Sequence, residues 1–245
     1  MLHKLKSLLS AARHTFHSLP SGRVGVWVLG VVCALSLTSC TESDGAWDPY
    51  VNWQSRNAIW FEQISDSART AIAQAKAQYG NDWEEHCEWR RFKSLQKAAG
   101  YDSKLSTDSI CVHIIKKGTR EGDDAISPMY SDTVRASYRA FLMPTQYEAA
   151  DGGLYEEARI VDQSYYGTFN PSTAAPSPMA VKALIDGFST ALQYMVPGDE
   201  WYVYIPQEMA YGAAGKGDTP GYSTLRFHLY LSNVYRAGTG VPEWK

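Results

Sequence analysis

Cysteine and histidine are scarce in this chain of 245 residues, with four and six respectively, and their positions exclude several chemistries. Cys33 and Cys40 lie near the N-terminus, so only Cys87 and Cys111 remain for the rest of the chain. His86, His113 and His228 have no second ligand three or four residues on, and no cysteine pair has metal spacing. A metal centre is therefore not expected, nor a cofactor. No serine is framed by a nucleophile elbow. The Gly-rich stretch Gly212 to Gly221 lacks the Gly-Lys-Ser/Thr of a phosphate loop, and a strand pattern follows it where that loop would open a helix. A bilayer-length run is also missing: the longest apolar stretch, Val24 to Leu37, has 14 residues where a spanning helix needs about 20.

What the N-terminus does have is an order of features. Lys4, Lys6, Arg13 and Arg23 precede the apolar run with no acidic residue among them, the pattern of a secretion signal. Leu37-Thr38-Ser39-Cys40 resembles the lipobox of bacterial lipoproteins. That resemblance implies removal of residues 1–39, acylation of Cys40 with lipid such as palmitate, and a lipid-anchored place in the bacterial envelope. Glu42 and Asp44 favour the outer membrane over the inner. An uncleaved anchor helix and an ordinary signal peptide are the alternatives. Without residues 1–39, 19 basic side chains face 26 acidic ones, a formal charge of −7. Such a chain is a poor partner for nucleic acid or anionic lipid, which need basic surface. An oxidising compartment would permit a Cys87–Cys111 disulfide, and two buried thiols are the equal alternative.

Thr41 to Asp48 is small, polar and acidic, a tether. Tyr50, Trp53, Asn57, Trp60, Phe61 and Ile64 then recur three and four apart, which predicts a helix continuing through Ala68 to Ala77. Gly80-Asn81-Asp82 is a stop followed by a new N-cap, and a second helix is expected from Trp83 to Ala98. The stripe Trp53, Trp60, Phe61 is read as packing onto its neighbours, with a dimer contact as the alternative. From Ser109 the period changes to two: strands are expected at Ile110–Ile115, Thr133–Leu142 and Ala158–Val161. Pro171 to Pro178 is excluded from a central strand. A helix is expected from Met179 or Ala180 to Tyr194. In the last strands Trp201, Val203 and Ile205 share one face, as do Leu225, Phe227, Leu229 and Leu231, while Arg226, His228 and Tyr230 point outward. These patterns describe an α+β fold. The chain divides into a leader (1–39), a tether and helical segment (40–105), a sheet domain (106–237) and a tail (238–245).

The stretch Gly198 to Val234, with its Ala210-Tyr211-Gly212 turn, Gly-rich loop and Ser223-Thr224-Leu225 leading to Phe227, resembles the last two strands and intervening loop of FKBP-type peptidyl-prolyl isomerases. Val134 to Leu142 resembles an earlier strand of that family, with Ala140 where Gly is usual. The resemblance, which covers about Ser106 to Ala237, implies a curved antiparallel sheet of about five strands wrapping a short helix, with a pocket between them for proline-containing polypeptides. By motif, Tyr138 and Phe227 would line the pocket and Phe188 would form its base. Ile185 would offer a backbone amide, Asp162 would stand at the rim, and Tyr211 would donate its hydroxyl to the substrate. Tyr138, Phe188 and Phe227 are equally suited to plain core duty. The chain departs from the family at Phe188 (usually Trp), Val161 (usually aromatic) and Thr219 (usually aliphatic). The insertion Pro144 to Glu157 is read as a surface loop, with a flap over the pocket as the alternative. A prolyl isomerase needs no ionising group, only an apolar pocket and hydrogen bonds favouring the twisted amide. The alternative function is a binding module for the same segments.

Overall fold

The computed structural model describes residues 48–97, 107–122, 125–150 and 152–244, so the leader, Cys40 and most of the tether lie outside the described residues. The first helix, α1 (Trp53–Tyr79), follows the expected stripe, burying Trp53, Asn57, Phe61, Ser65, Ala68 and Ala75. Beyond Gly80–Asp82 the expected second helix is only one turn, α2 (Trp83–His86), and the chain then enters a strand, β1 (Trp89–Lys93). Its neighbour β2 (Ser109–Lys116) explains the difference. Trp89 to Lys93 pair antiparallel with His113 to Ser109, and these ladder bonds outweigh the helix propensity of an Arg- and Lys-rich run.

β3 (Thr133–Phe141) is followed by a separate two-stranded hairpin, β4 (Thr145–Glu148) with β5 (Leu154–Glu157), where a loop or flap was expected. Next come β6 (Ile160–Gln163) and β7 (Ser177–Ala180). Pro178 lies within β7, which pairs only with β3, so the missing amide faces no second partner. The pairing of Met179 and Ala180 with Val134 and Thr133 delays the next helix, α3, which runs Asp186–Tyr194 rather than from residue 179 or 180. β8 (Glu200–Ile205) and β9 (Leu225–Tyr235) complete the sheet.

The order is β1-β2-β8-β9-β3-β6, all antiparallel, with β7 beside β6 along β3. The seven strands exceed the expected five by β1 and β7. Register shifts in the β3/β9, β3/β6 and β2/β8 pairs bend the sheet. Its inner face, with Ile110, Val112, Trp201, Val203, Leu225, Leu229 and Leu231, is covered by Phe188, Ala191 and Leu192 of α3. On the other face α1 packs through Phe61 and Ala68 against Cys111, with Trp89 and Tyr204 beside them. The described residues from Asp48 on form one compact unit. Cys87 and Cys111 are buried free thiols, and burial pushes the Cys111 thiol up from its ordinary pKa.

His228, although on the outward face of β9, is buried. Tyr165 and Phe169 from the segment after β6 lie across it; its Nδ1 is 2.5 Å from the Tyr165 hydroxyl and its Nε2 is 2.8 Å from Glu200.

Candidate functional site

The middle of β3, the start of α3 and the start of β9 supply three rings in mutual contact. Phe188 meets Phe227 edge-on at 5.0 Å and Tyr138 edge-on at 5.7 Å, and Tyr138 lies 6.2 Å from Phe227. Edge-to-face geometry sets the positive rim of one ring against the negative face of the next. Phe188 and Phe227 are buried, whereas Tyr138, Val161, Ile185 and Tyr211 are only partly buried around them. The core therefore comes to the surface here as an apolar floor with a half-buried border.

Polar groups stand on that border. Tyr138 donates its hydroxyl to Asp162 Oδ2 at 3.0 Å. β6 is only four residues long, and its register is fixed from behind by Arg139. That guanidinium donates to Gln163 Oε1 at 3.0 Å and to the carbonyls of Tyr165 and Gly167 at 3.1 and 3.0 Å, and it lies 4.3 Å from the Tyr165 ring centre. Ser164 closes the same end by donating its N–H to the Tyr138 carbonyl at 2.9 Å. Sequence patterning drew no attention to Arg139; the only signal was its place next to Tyr138, facing the other side of the strand.

Burial first, then the hydrogen bond to Asp162 and its negative charge, push the Tyr138 hydroxyl up to about 12. Burial, followed by the Asp162 charge, likewise raises the Tyr211 hydroxyl. Both phenols thus keep their protons at neutral pH and can act as donors. Tyr211 stands at the foot of the Gly-rich loop. Met209 just before it is buried, and the Tyr222 N–H closes the loop on the Gly212 carbonyl at 2.8 Å. Gly215 has a φ of +68°, and a Cβ there would lie 2.4 Å from the Thr219 carbonyl oxygen, so only glycine permits this fold-back. Thr219 is itself buried within the loop.

Ile185 is the N-cap of α3, so its N–H belongs to the group of amides that a helix leaves without an internal acceptor. α3 is pressed onto β8 directly behind it: a Cβ on Gly187 would fall 2.3 Å from Ile205 Cγ2. Asp186 ties the same turn to the N-terminal segment, accepting from Ser94 Oγ at 2.8 and 2.7 Å and from Thr190 Oγ1 at 3.1 Å.

All six positions singled out from the sequence, Tyr138, Asp162, Ile185, Phe188, Tyr211 and Phe227, thus belong to the apolar floor and its border. Residues 126–232 match the family model described as FKBP-type peptidyl-prolyl cis-trans isomerase. Over that span the chain is similar to this family. It is 28% identical over 146 residues to the macrophage infectivity potentiator of Trypanosoma cruzi, covering 59% of this chain and 63% of the relative. To the FKBP-type 22 kDa peptidyl-prolyl cis-trans isomerase of Escherichia coli strain K12 it is 30% identical over 115 residues, 46% of each. To the outer membrane protein MIP of Legionella longbeachae it is 29% identical over 111 residues, 45% of this chain and 40% of the relative. Each match spans less than two thirds of the relative. The solved structure of FkpA from Escherichia coli aligns with a TM-score of 0.40 at 21% identity, covering 78% of this chain and 75% of FkpA. No helix among the described residues is long and apolar enough to cross a membrane.

Proposed function

We propose that the chain is a lipid-anchored peptidyl-prolyl isomerase that assists the folding of exported proteins at the bacterial envelope. The observation that carries the reading is the apolar floor of Tyr138, Phe188 and Phe227, where buried rings meet a half-buried border of donors and one carboxylate. The uncatalysed barrier is rotation about a partly double C–N bond, about 18–20 kcal/mol. A proline ring held on the floor would leave its amide beside Ile185 N–H and the Tyr211 hydroxyl, each able to donate to a substrate carbonyl. An apolar surround favours the twisted amide, which has lost the charge separation of resonance. Asp162, held by Tyr138, would set the polarity of the rim. No side chain exchanges a proton, so the chemistry consists of differential binding of the twisted state.

In this reading residues 1–39 are the leader and Cys40 is the acylated N-terminus. Residues 40–105 form the tether and helical segment, 106–237 the isomerase domain, and 238–245 a tail. The relative named as an outer membrane protein supports an envelope location. Replacing Cys40 by Ala should abolish lipid labelling and release processed protein from the membrane. A dimer through α1 would have to use its outward side, where Ile59 is exposed, because Trp53 and Phe61 are spent on the core. The deciding experiment is a prolyl-isomerase assay on the soluble fragment beginning after Cys40. Acceleration of X–Pro isomerisation supports the enzyme. Binding of proline-containing peptides without acceleration assigns the second reading, a binding module, which the narrower Val161 wall favours.

A further inference from the structure

The hairpin β4–β5 has no pairing with the main sheet, yet it borders a cleft of about 620 Å³. Leu142 and Met143, buried continuations of β3, lie in it, with Tyr50, Tyr147 and Ile160 around them. Tyr147 and Ile160 remain 40% and 41% exposed, as does Tyr155 at 46%, packed 5.9 Å from Tyr147 across the hairpin. Large apolar surface is thus left partly exposed along the hairpin and the cleft. Arg159 at its edge is already engaged, donating to the Tyr50 hydroxyl at 3.0 Å and lying 3.8 Å from Asp218 of the Gly-rich loop. Thr145, Gln146 and Glu157 complete the lining, so the cleft offers apolar contact with polar groups at its side.

The cleft and the apolar floor are built on the same two strands. β3 carries Tyr138 into the pocket and Leu142 into the cleft, and β6 carries Asp162 and Ile160 in the same way. Four residues of extended chain cover about 13 Å, so a substrate running alongside these strands reaches the cleft about four residues from its proline. We propose that the cleft is a second substrate subsite, which takes a large apolar side chain of an extended, unfolded polypeptide about four residues from the proline. The proposal rests on the proline pocket being a substrate site, and it deepens that reading by specifying the sequence class preferred.

The test uses the soluble chain beginning after Cys40 and fluorescein-labelled alanine-rich nonapeptides with one proline. One pair of probes has Phe four residues before or after the proline, and the other has Ser there. Partial burial of one aromatic side chain should make a Phe probe bind about 5–10-fold more tightly than its Ser counterpart by fluorescence anisotropy. The preference should vanish in the double variant Tyr147→Ser, Ile160→Ser. Both replacements are at exposed positions, and an unchanged thermal melt will show that the fold is kept. Isomerisation of a short proline tetrapeptide should be the same in both proteins. Equal binding of the Phe and Ser probes, or a preference that survives in the double variant, would overturn the proposal. So would a Phe probe that binds as tightly after its proline is replaced by alanine, since the cleft would then act apart from the pocket. If the wild-type protein fails to accelerate the tetrapeptide, the enzyme reading falls, while the anisotropy comparison still decides the subsite.

Discussion

Tyr211 and Tyr138 are both tyrosines on the border of one apolar floor, and their environments separate what each does. Among the described residues Tyr211 has no carboxylate acceptor of its own, so its hydroxyl is available to a substrate. Tyr211→Phe should cost one hydrogen bond, on the order of 0.5–1.5 kcal/mol, and lower kcat/KM from a few-fold to about tenfold in a coupled peptide assay. Tyr138 is committed to Asp162, and its hydroxyl pKa is raised to about 12 from the ordinary value of 10.0. Between those values the folded chain keeps a proton that the unfolded chain has lost, so this residue's contribution is fully present below pH 10 and is lost as pH rises toward 12. Urea melts across that window should show wild type losing more stability than Tyr138→Phe. The six residues that the structure gathers at the floor and its border were singled out in the sequence through the family resemblance of the short motifs that hold them. The Arg139 clamp was not, because its acceptors are two backbone carbonyls and an amide 24 to 28 residues away that no spacing rule connects. His228 was misjudged for a similar reason: alternation correctly gave its face, but only tertiary structure lays Tyr165 and Phe169 across that face.

Among the elements, α3 shows how a helix start can be aimed. Its second residue, Gly187, lets the first turn lie against Ile205, and this close approach fixes Ile185 at the pocket border. Gly187→Ala should cost about 1–3 kcal/mol through overpacking and reduce turnover, seen as a lower thermal midpoint together with a fall in kcat. The start of α3 was misplaced in the sequence reading because Met179, Ala180, Val181 and Leu184 have helical spacing, while the strand partner that claims Met179 and Ala180 is some 45 residues earlier. β1 was hidden more deeply. Trp89 to Lys93 shows no clean alternation, since Arg90 is the buried member, with its guanidinium donating to the carbonyls of Glu84, Cys87 and Trp89. A fragment beginning at Thr107 would leave β2 as an open edge and uncover Cys111 and Tyr204. The inner core keeps all its buried members but Trp53, and α3 is retained, so it should keep a cooperative transition. Losing the burial of Trp53 and Phe61 should bring that transition down by on the order of 10 °C in calorimetry.

For the whole molecule, the α+β class followed from period and order and the sheet wrapped around a helix from the family resemblance, while the way the N-terminal segment joins the sheet followed from neither. Trp53 donates its indole N–H to Ser223 Oγ at 2.9 Å, and Asn57 Oδ1 accepts from Thr224 N–H at 2.8 Å, contacts separated by 170 and 167 residues. No local pattern announces such a pair. A chain ending at Thr224, before β9, should therefore show neither the α1 packing nor the sheet, and its urea titration should lack a sigmoidal transition. The cause is the place of β9: last in sequence, it lies between β8 and β3 in the middle of the sheet. Synthesis delivers β3 well before β9 and β8 just before it, so the halves of the sheet wait unzipped until β9 has emerged. Folding is thereby timed by β9, and until that strand emerges, from the ribosome or from any channel, the chain stays threadable and in need of protection from its own exposed strands.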